Sequence, residues 1–201
     1  MKVRKCAKVK VLKIFLPILI LLMMIPAKSF ADMPEITAGQ TYFDIMKGHY
    51  VLKDNVRVVM NNHGLTATVT ANEARVNVVS QKCWALGAVT FDHKDYNLKC
   101  ENAYLQWETK TADLVGGINF KGRDSVAVTS DTATFNWETK EADFYGDVKI
   151  NAEKDLEFAE GLKLKKNQRY AHVRYNVTEN KILQLDEKFD TPQIEIPDPD
   201  K

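Results

Sequence analysis

The chain has little of what catalysis or membrane crossing requires. Its four histidines, His49, His63, His93 and His172, are scattered, and none stands in a His-Glu-x-x-His pair. There is no Gly-x-Ser-x-Gly elbow and no phosphate loop, so no nucleophile or nucleotide chemistry is signalled. No Cys or His follows another at metal-ligand spacing, which predicts no metal site. Nothing in the composition calls for a cofactor. Beyond the N-terminal leader no window of a dozen residues carries a helical period. The longest apolar run, Ile14 to Ile25, is 12 residues and is broken by Pro17. A spanning helix needs roughly 20.

That run belongs to a leader. Lys2, Arg4, Lys5, Lys8, Lys10 and Lys13 precede it, and Ser29-Phe30-Ala31 follows it with small residues at the −3 and −1 positions. This is the three-part pattern of a secretory signal, with cleavage expected after Ala31. The alternative is an uncleaved anchor over residues 14–25. Residues 1–31 hold seven of the 28 basic residues and no acid, which leaves 21 basic against 27 acidic residues and a formal charge of −6. An acidic exported chain is a poor nucleic-acid binder, because phosphate neutralisation needs a basic face. Cys6 goes with the leader, so Cys83 and Cys100 remain. In an oxidising compartment they are a possible disulfide, or else two small buried side chains.

What the chain does have is a β-type repeat of about 30 residues. Ala103-Tyr-Leu-Gln-Trp-Glu-Thr-Lys-Thr-Ala-Asp-Leu-Val-Gly116 is followed by Ala133-Thr-Phe-Asn-Trp-Glu-Thr-Lys-Glu-Ala-Asp-Phe-Tyr-Gly146. An upstream copy has Ala74 and Gly87 at the corresponding places. One such unit cannot bury its apolar face alone, so the units must stack. Period-2 alternation predicts short strands at 50–60, 65–70, 74–79, 83–91, 96–99, 103–107, 112–120, 126–129, 133–137, 142–150, 156–158, 161–164, 172–177 and 181–185. The proline-bearing segment 190–201 reads as a frayed tail. The expected fold is all-β, an elongated, solenoid-like stack of short antiparallel strands over 32–189.

Aligning the copies predicts which side chains point inward, since alternate strand residues face opposite sides. The inner face collects Val69, Leu98 and Val128; Val76, Leu105 and Phe135; Val78, Trp107 and Trp137; Leu114 and Phe144; Ile118 and Val148; Phe91 and Phe120. Cys83 and Cys100 fall on the same face, in columns otherwise filled by Ala and Ser. Thr68, Asn77, Gln106, Asn136 and Lys149 fall on the other face, expected to be surface. Such an apolar face is either a plain core or a place for acyl chains. Gly87, Gly116 and Gly146 form one column, which either lets the sheet fold over or leaves a trough beside the aromatics. The recurring Glu108, Glu138, Asp113 and Asp143 read as turn chemistry rather than as a catalytic pair. Lys163, Lys165, Lys166 and Arg169 form a basic cluster, either a solvated edge or a contact for lipid phosphates.

Three stretches carry a family resemblance. They are Tyr50-x-Leu-x-x-Asn-Val-x-Val58, then Leu65-Thr-Ala…Ala71-Asn-Glu-Ala74, then Ala85-Leu-Gly-Ala-Val-Thr-Phe91. Asp113-Leu-Val-Gly-Gly-Ile and Asp143-Phe-Tyr-Gly-Asp-Val repeat the last pattern, and Asp54 departs from it where glycine is expected. Together these resemble the OstA-like, LptA-type periplasmic lipopolysaccharide-transport family. The resemblance implies a β-jellyroll that holds the acyl chains of lipid A inside, with no enzymatic activity. It implies like-folded partners at the inner and outer membranes. Unfinished strand edges predict end-to-end pairing, including head-to-tail self-association. A purely structural module that pairs through its edges is the competing expectation.

Overall fold

The computed structural model describes residues 35–62, 65–77, 79–152, 156–165 and 168–200. The leader with its Ala31 cleavage position, and also His63, Val78 and Lys166, lie outside the described residues. Among the described residues no helix is long and apolar enough to cross a membrane.

The fold is all-β, as the alternation predicts. Among the described residues twelve strands form one sheet: β1 Glu35–Thr37, β2 Gln40–Asp44, β3 His49–Asn62, β4 Leu65–Asn77, β5 Lys82–His93, β6 Tyr96–Gln106, β7 Thr111–Lys121, β8 Ala127–Asn136, β9 Glu141–Asn151, β10 Glu157–Phe158, β11 Tyr170–Asn176 and β12 Lys181–Asp186. From β3 to β9 each strand pairs antiparallel with the next in sequence. β11 follows β9, β12 follows β11, and β10 pairs parallel with β12 at the far edge. At the near edge β1 and β2 pair with successive halves of β3.

The strands expected at 50–60, 83–91, 112–120 and 142–150 are each one strand, whereas β4, β6 and β8 each join two of the expected short strands across 71–73, 100–102 and 130–132. Each long pairing slips register at mid-strand, for example between Lys53 and Val56, Leu86 and Val89, and Val115 and Ile118. At these slips two consecutive residues take positive φ: Asp54-Asn55, Gly87-Ala88, Gly116-Gly117 and Gly146-Asp147. A bulge bends its strand, and the same bulge on every second strand bends the whole sheet along one crease. The glycine column therefore marks the crease. A Cβ added at Gly87, Gly116 or Gly146 would collide with Asn72, Glu101 or Asp131. Those three side chains are exposed, so the missing Cβ relieves the outside of the crease and hollows no trough within. Asp54 keeps the same conformation where glycine is absent, because Asp and Asn tolerate the left-handed region best among non-glycine residues.

The crease folds the sheet into two facing layers. The front layer holds the halves of the strands that pair around Tyr50, Val76, Leu105 and Phe135. The back layer holds the halves around Val58, Val69, Leu98 and Val128. Stacked turns extend the front ladder: Trp107 N–H donates to the Gln81 carbonyl at 3.2 Å, Trp137 N–H to Lys110 at 3.1 Å, and Val177 N–H to Lys140 at 2.9 Å. Lys110 and Lys140 carry positive φ in these turns, and Lys110 pairs with Glu138 of the next turn. The repeated Trp-Glu-Thr-Lys motif is thus a stacking turn.

Candidate functional site

The register lines up side chains across the interior as the sequence predicts. Beside the crease, Val56, Ala71, Val89, Cys100, Ile118, Ser130 and Val148 form one column of the back layer, all buried. Leu52, Ala74, Ala85, Ala103, Leu114, Ala133, Phe144 and Val173 form the matching front column, also buried. Burying each large aliphatic or aromatic side chain contributes about 1.5–3 kcal/mol, so Leu52, Val56, Val89, Leu114, Ile118, Phe144, Val148 and Val173 of this seam stabilise the fold.

One step out from the crease the columns change along the stack. In the back layer Val58, Val69, Phe91 and Leu98 are half-buried, whereas Phe120, Val128 and Ile150 are buried. In the front layer Tyr50, Val76, Cys83 and Leu105 are half-buried, whereas Ala142, Tyr175 and Ile182 are buried. Phe135 is half-buried between them. The interior is therefore packed towards β7–β12 and open along its mouth towards β3–β6.

Specific contacts explain the packed end. Phe120 of the back layer meets Phe144 and Tyr175 of the front, each with ring centroids 5.7 Å apart. Tyr96 Oη donates to the Val177 carbonyl at 3.1 Å, which ties the layers across the mouth. A 3-10 turn at Arg123–Ser125 reaches the turn after β11, where Asn180 Nδ2 donates to Asp124 Oδ2 at 3.0 Å. Tyr175 Oη donates to Asn180 Oδ1 at 2.7 Å. Leu156, Phe158, Leu162 and Leu164, from the crossover between β9 and β11, pack against the same core. At the open end a recess of about 220 Å³ lies at the crease between Val56, Arg57, Thr70 and Asn72.

Of the fifteen expected inner-face residues, the fourteen that are described divide by burial. Leu114, Ile118, Phe120, Val128, Phe144 and Val148 are core. Val69, Val76, Phe91, Leu98, Leu105, Phe135 and Trp137 are half-buried. Trp107 is 47 % exposed and meets Trp137 edge-on at 6.1 Å on the rim. The possible disulfide is not formed, and both cysteines are free. Cys83 sits opposite Leu105 in the front layer and Cys100 opposite Val89 in the back layer, with the register slip between them. Burial pushes both thiols up to about 12, so both stay protonated. Two members of the basic cluster are paired: Lys165 with Glu187, and Arg169 with Asp147.

Two features escaped the sequence reading, both on the outer face of the front layer. At one end His172 is 1 % exposed. Its Nδ1 lies 2.8 Å from Asp186 Oδ2 and its Nε2 2.7 Å from Asp143 Oδ1. Its ring stacks between Tyr145 and Phe189, with centroids at 5.0 and 4.3 Å. Two carboxylates facing two ring nitrogens call for two N–H donors, the imidazolium form. Burial alone would lower the His172 pKa, but the hydrogen bonds to Asp143 and Asp186 outweigh it and raise it. Burial would likewise raise Asp143, yet His172 and Arg174 hold it below its ordinary value. Asp143 thus belongs to an ion-pair cluster, and among the described residues no group of acids, cysteines and histidines is arranged to hold a metal ion.

At the other end His49, Val51, Trp84 and Tyr104 are buried on the same outer face. Residues 187–200 run across it, and they include 190–200 of the segment 190–201 that was expected to fray. Trp84 Nε1–H donates to the Pro197 carbonyl at 2.8 Å. Asp200 accepts from Lys47 at 2.8 Å and from Arg75 at 2.5 Å. Eight strand spacings separate β12 from β3, about 38 Å, and the extended tail spans about 43 Å, so it reaches.

Comparison with solved structures finds LptH, described as the LptA homologous periplasmic component of the lipopolysaccharide transport device of Pseudomonas aeruginosa, at 10% identity and TM-score 0.46, covering 68% of this chain and 92% of that one. Comparison with curated proteins returns no match. The family model of the OstA-like proteins matches residues 65–188. That span takes in β4 to β12 and both layers of the creased sheet; the chain belongs to the OstA-like family.

Proposed function

We propose that this chain is a periplasmic lipopolysaccharide carrier that holds lipid A acyl chains between its two layers at the β3–β6 end. One observation carries the reading. The inner columns one step out from the crease, through Val58, Val69, Phe91 and Leu98 and through Tyr50, Val76, Cys83 and Leu105, lose their cover from β7 towards β3, while Ala67 one step further out stays buried. Such a wedge leaves apolar surface on offer at one end and a sealed core at the other. A glycolipid with several acyl chains cannot cross an aqueous compartment exposed, and a continuous apolar surface lets it move without a large desolvation barrier. The rim Trp107 and Trp137 suit the boundary between acyl chains and polar headgroup, because an indole has an apolar body and a polar edge. The role is non-enzymatic.

Export with cleavage after Ala31 supplies the compartment. The two sheet edges supply the partners, which are like-folded components at the inner and outer membranes and further copies joined head to tail. β2 offers an outer edge with Tyr42 46% and Phe43 45% exposed, and the turn after it adds Ile45 83% and Met46 92% exposed. The opposite edge, β12, is covered by β10 over two residues, Glu157 and Phe158. Paired edges of this kind add strand to strand. The packed β7–β12 half favours a second reading, a sealed module that serves assembly alone.

Mass spectrometry of the protein purified from its native envelope separates the two. The carrier reading expects co-purified glycolipid, lost on Leu98→Asp with the fold intact by circular dichroism. Bare protein from a lipopolysaccharide-containing envelope contradicts it. N-terminal sequencing of the same sample is expected to start at Asp32.

A further inference from the structure

The outer face of a two-layer sheet normally meets water, and its side chains are then exposed. Here Trp84 and Tyr104 are 6% and 5% exposed on that face, with centroids 5.1 Å apart. His49 joins the ledge at 5.2 Å from Trp84. The cover comes from the chain's own Ile194-Glu-Ile-Pro-Asp-Pro-Asp200, in which Ile194, Ile196 and Pro199 are half-buried. The contacts are those of peptide recognition. An indole N–H donates to the carbonyl of Pro197, an aromatic ledge lies beneath, and Lys47 and Arg75 read the side-chain carboxylate of Asp200. Extended proline-bearing segments dock on aromatic-lined grooves by this means, since little backbone freedom is lost on binding. The fit of the tail is incomplete. His49 is 6% exposed, and its Nδ1 finds no hydrogen-bond partner among the described residues. A buried polar atom left unpaired carries a penalty that a better ligand would remove.

We infer that the outer face across β3–β6 is a docking groove for an extended, proline-bearing, acidic segment of a partner protein, which residues 194–200 occupy in cis. The groove lies on the opposite side of the sheet from the inner cleft, so it is independent of what the cleft holds. Exchange of tails along a head-to-tail stack does not suit it. A tail arriving from a neighbour's β12 would meet β3 before β5, which reverses the order of Trp84, Arg75 and Lys47.

The test is fluorescence anisotropy with labelled Ile-Glu-Ile-Pro-Asp-Pro-Asp on the full chain. Asp200→Lys sets the tail against Lys47 and Arg75 and frees the groove. The peptide is expected to bind this variant about tenfold or more tighter than the native chain, whose tethered tail competes at roughly millimolar effective concentration. Arg75→Gln in the Asp200→Lys background is expected to lose that binding, with an unchanged melting temperature as the control for folding. Extending the peptide by one Ser, to offer a donor to His49 Nδ1, is expected to tighten it, and His49→Phe to remove that gain. Equal binding to native and Asp200→Lys chains, equal binding of a peptide with both aspartates replaced by lysine, or no saturable binding at all would overturn the inference. A concentration-dependent dimer of the native chain, lost on Asp200→Lys, would also overturn it in favour of tail exchange.

Discussion

His172 sits between two carboxylates, and neutral imidazole has only one N–H to give them. Because its folded pKa is raised above 6.5, its contribution to stability is fully present below pH 6.5 and is lost as pH rises through the folded value. The melting temperature of the native chain is therefore expected to fall as pH rises above 6.5 and through the raised folded value, and His172→Gln to flatten that slope. Asp143 acts at the other end of the range. Its folded pKa is lowered below 3.8, so its contribution is present above that value and disappears as pH falls through the folded one. Asp143→Ala is expected to cost about 3 kcal/mol in urea denaturation, because it leaves the buried imidazolium with one carboxylate instead of two. None of this was legible in the sequence. His172 is separated from Asp143 and Asp186 by 29 and 14 residues, and no local pattern links positions brought together by register alone.

At the scale of elements the sequence was far more legible, because facing is periodic and periodicity survives errors in strand boundaries. The columns through Leu98, Phe120 and Val128, and through Leu105 and Phe135, lie together as the repeat alignment predicts. The breaks expected at 71–73, 100–102 and 130–132 were misplaced because those polar stretches look like turns, yet β4, β6 and β8 run on through them, opposite bulges at the positive-φ pairs of β3, β5, β7 and β9. Gly116, at φ +87, tests this. Gly116→Ala adds a left-handed strain of about 1–2 kcal/mol and a collision with Glu101. It is expected to lower stability by roughly 2–4 kcal/mol without changing circular dichroism at low denaturant. A neutral outcome would mean that the crease is not fixed by these residues. Two elements had no signal. β1 and β2 together are eight residues bent at Gly39, too short to show alternation. The tail segment has three prolines and no strand of its own. Its order comes from Trp84 and Arg75, more than a hundred residues upstream.

The whole molecule is a wedge with two unlike ends. Tyr96 of β6 and Arg123 and Asp124 of the turn after β7 stitch the layers to the turn after β11; in β3–β6 the inner side chains one step out from the crease are half-uncovered. The edge strand β2 and its following turn expose Phe43 and Ile45 at that open end. Phe43→Glu with Ile45→Glu is expected to weaken self-association in sedimentation velocity at least tenfold, while the melting free energy changes by about 0.5 kcal/mol or less, as for exposed sites in general. The most direct measurement of the wedge is site-specific photocrosslinking in the native envelope, with the crosslinker placed in turn at Phe91, Leu98, Leu105, Phe144 and Val173. Lipopolysaccharide is expected to be captured at Phe91, Leu98 and Leu105 and not at Phe144 or Val173. Capture spread evenly over all five positions, or absent from the first three, would contradict a cleft open at one end.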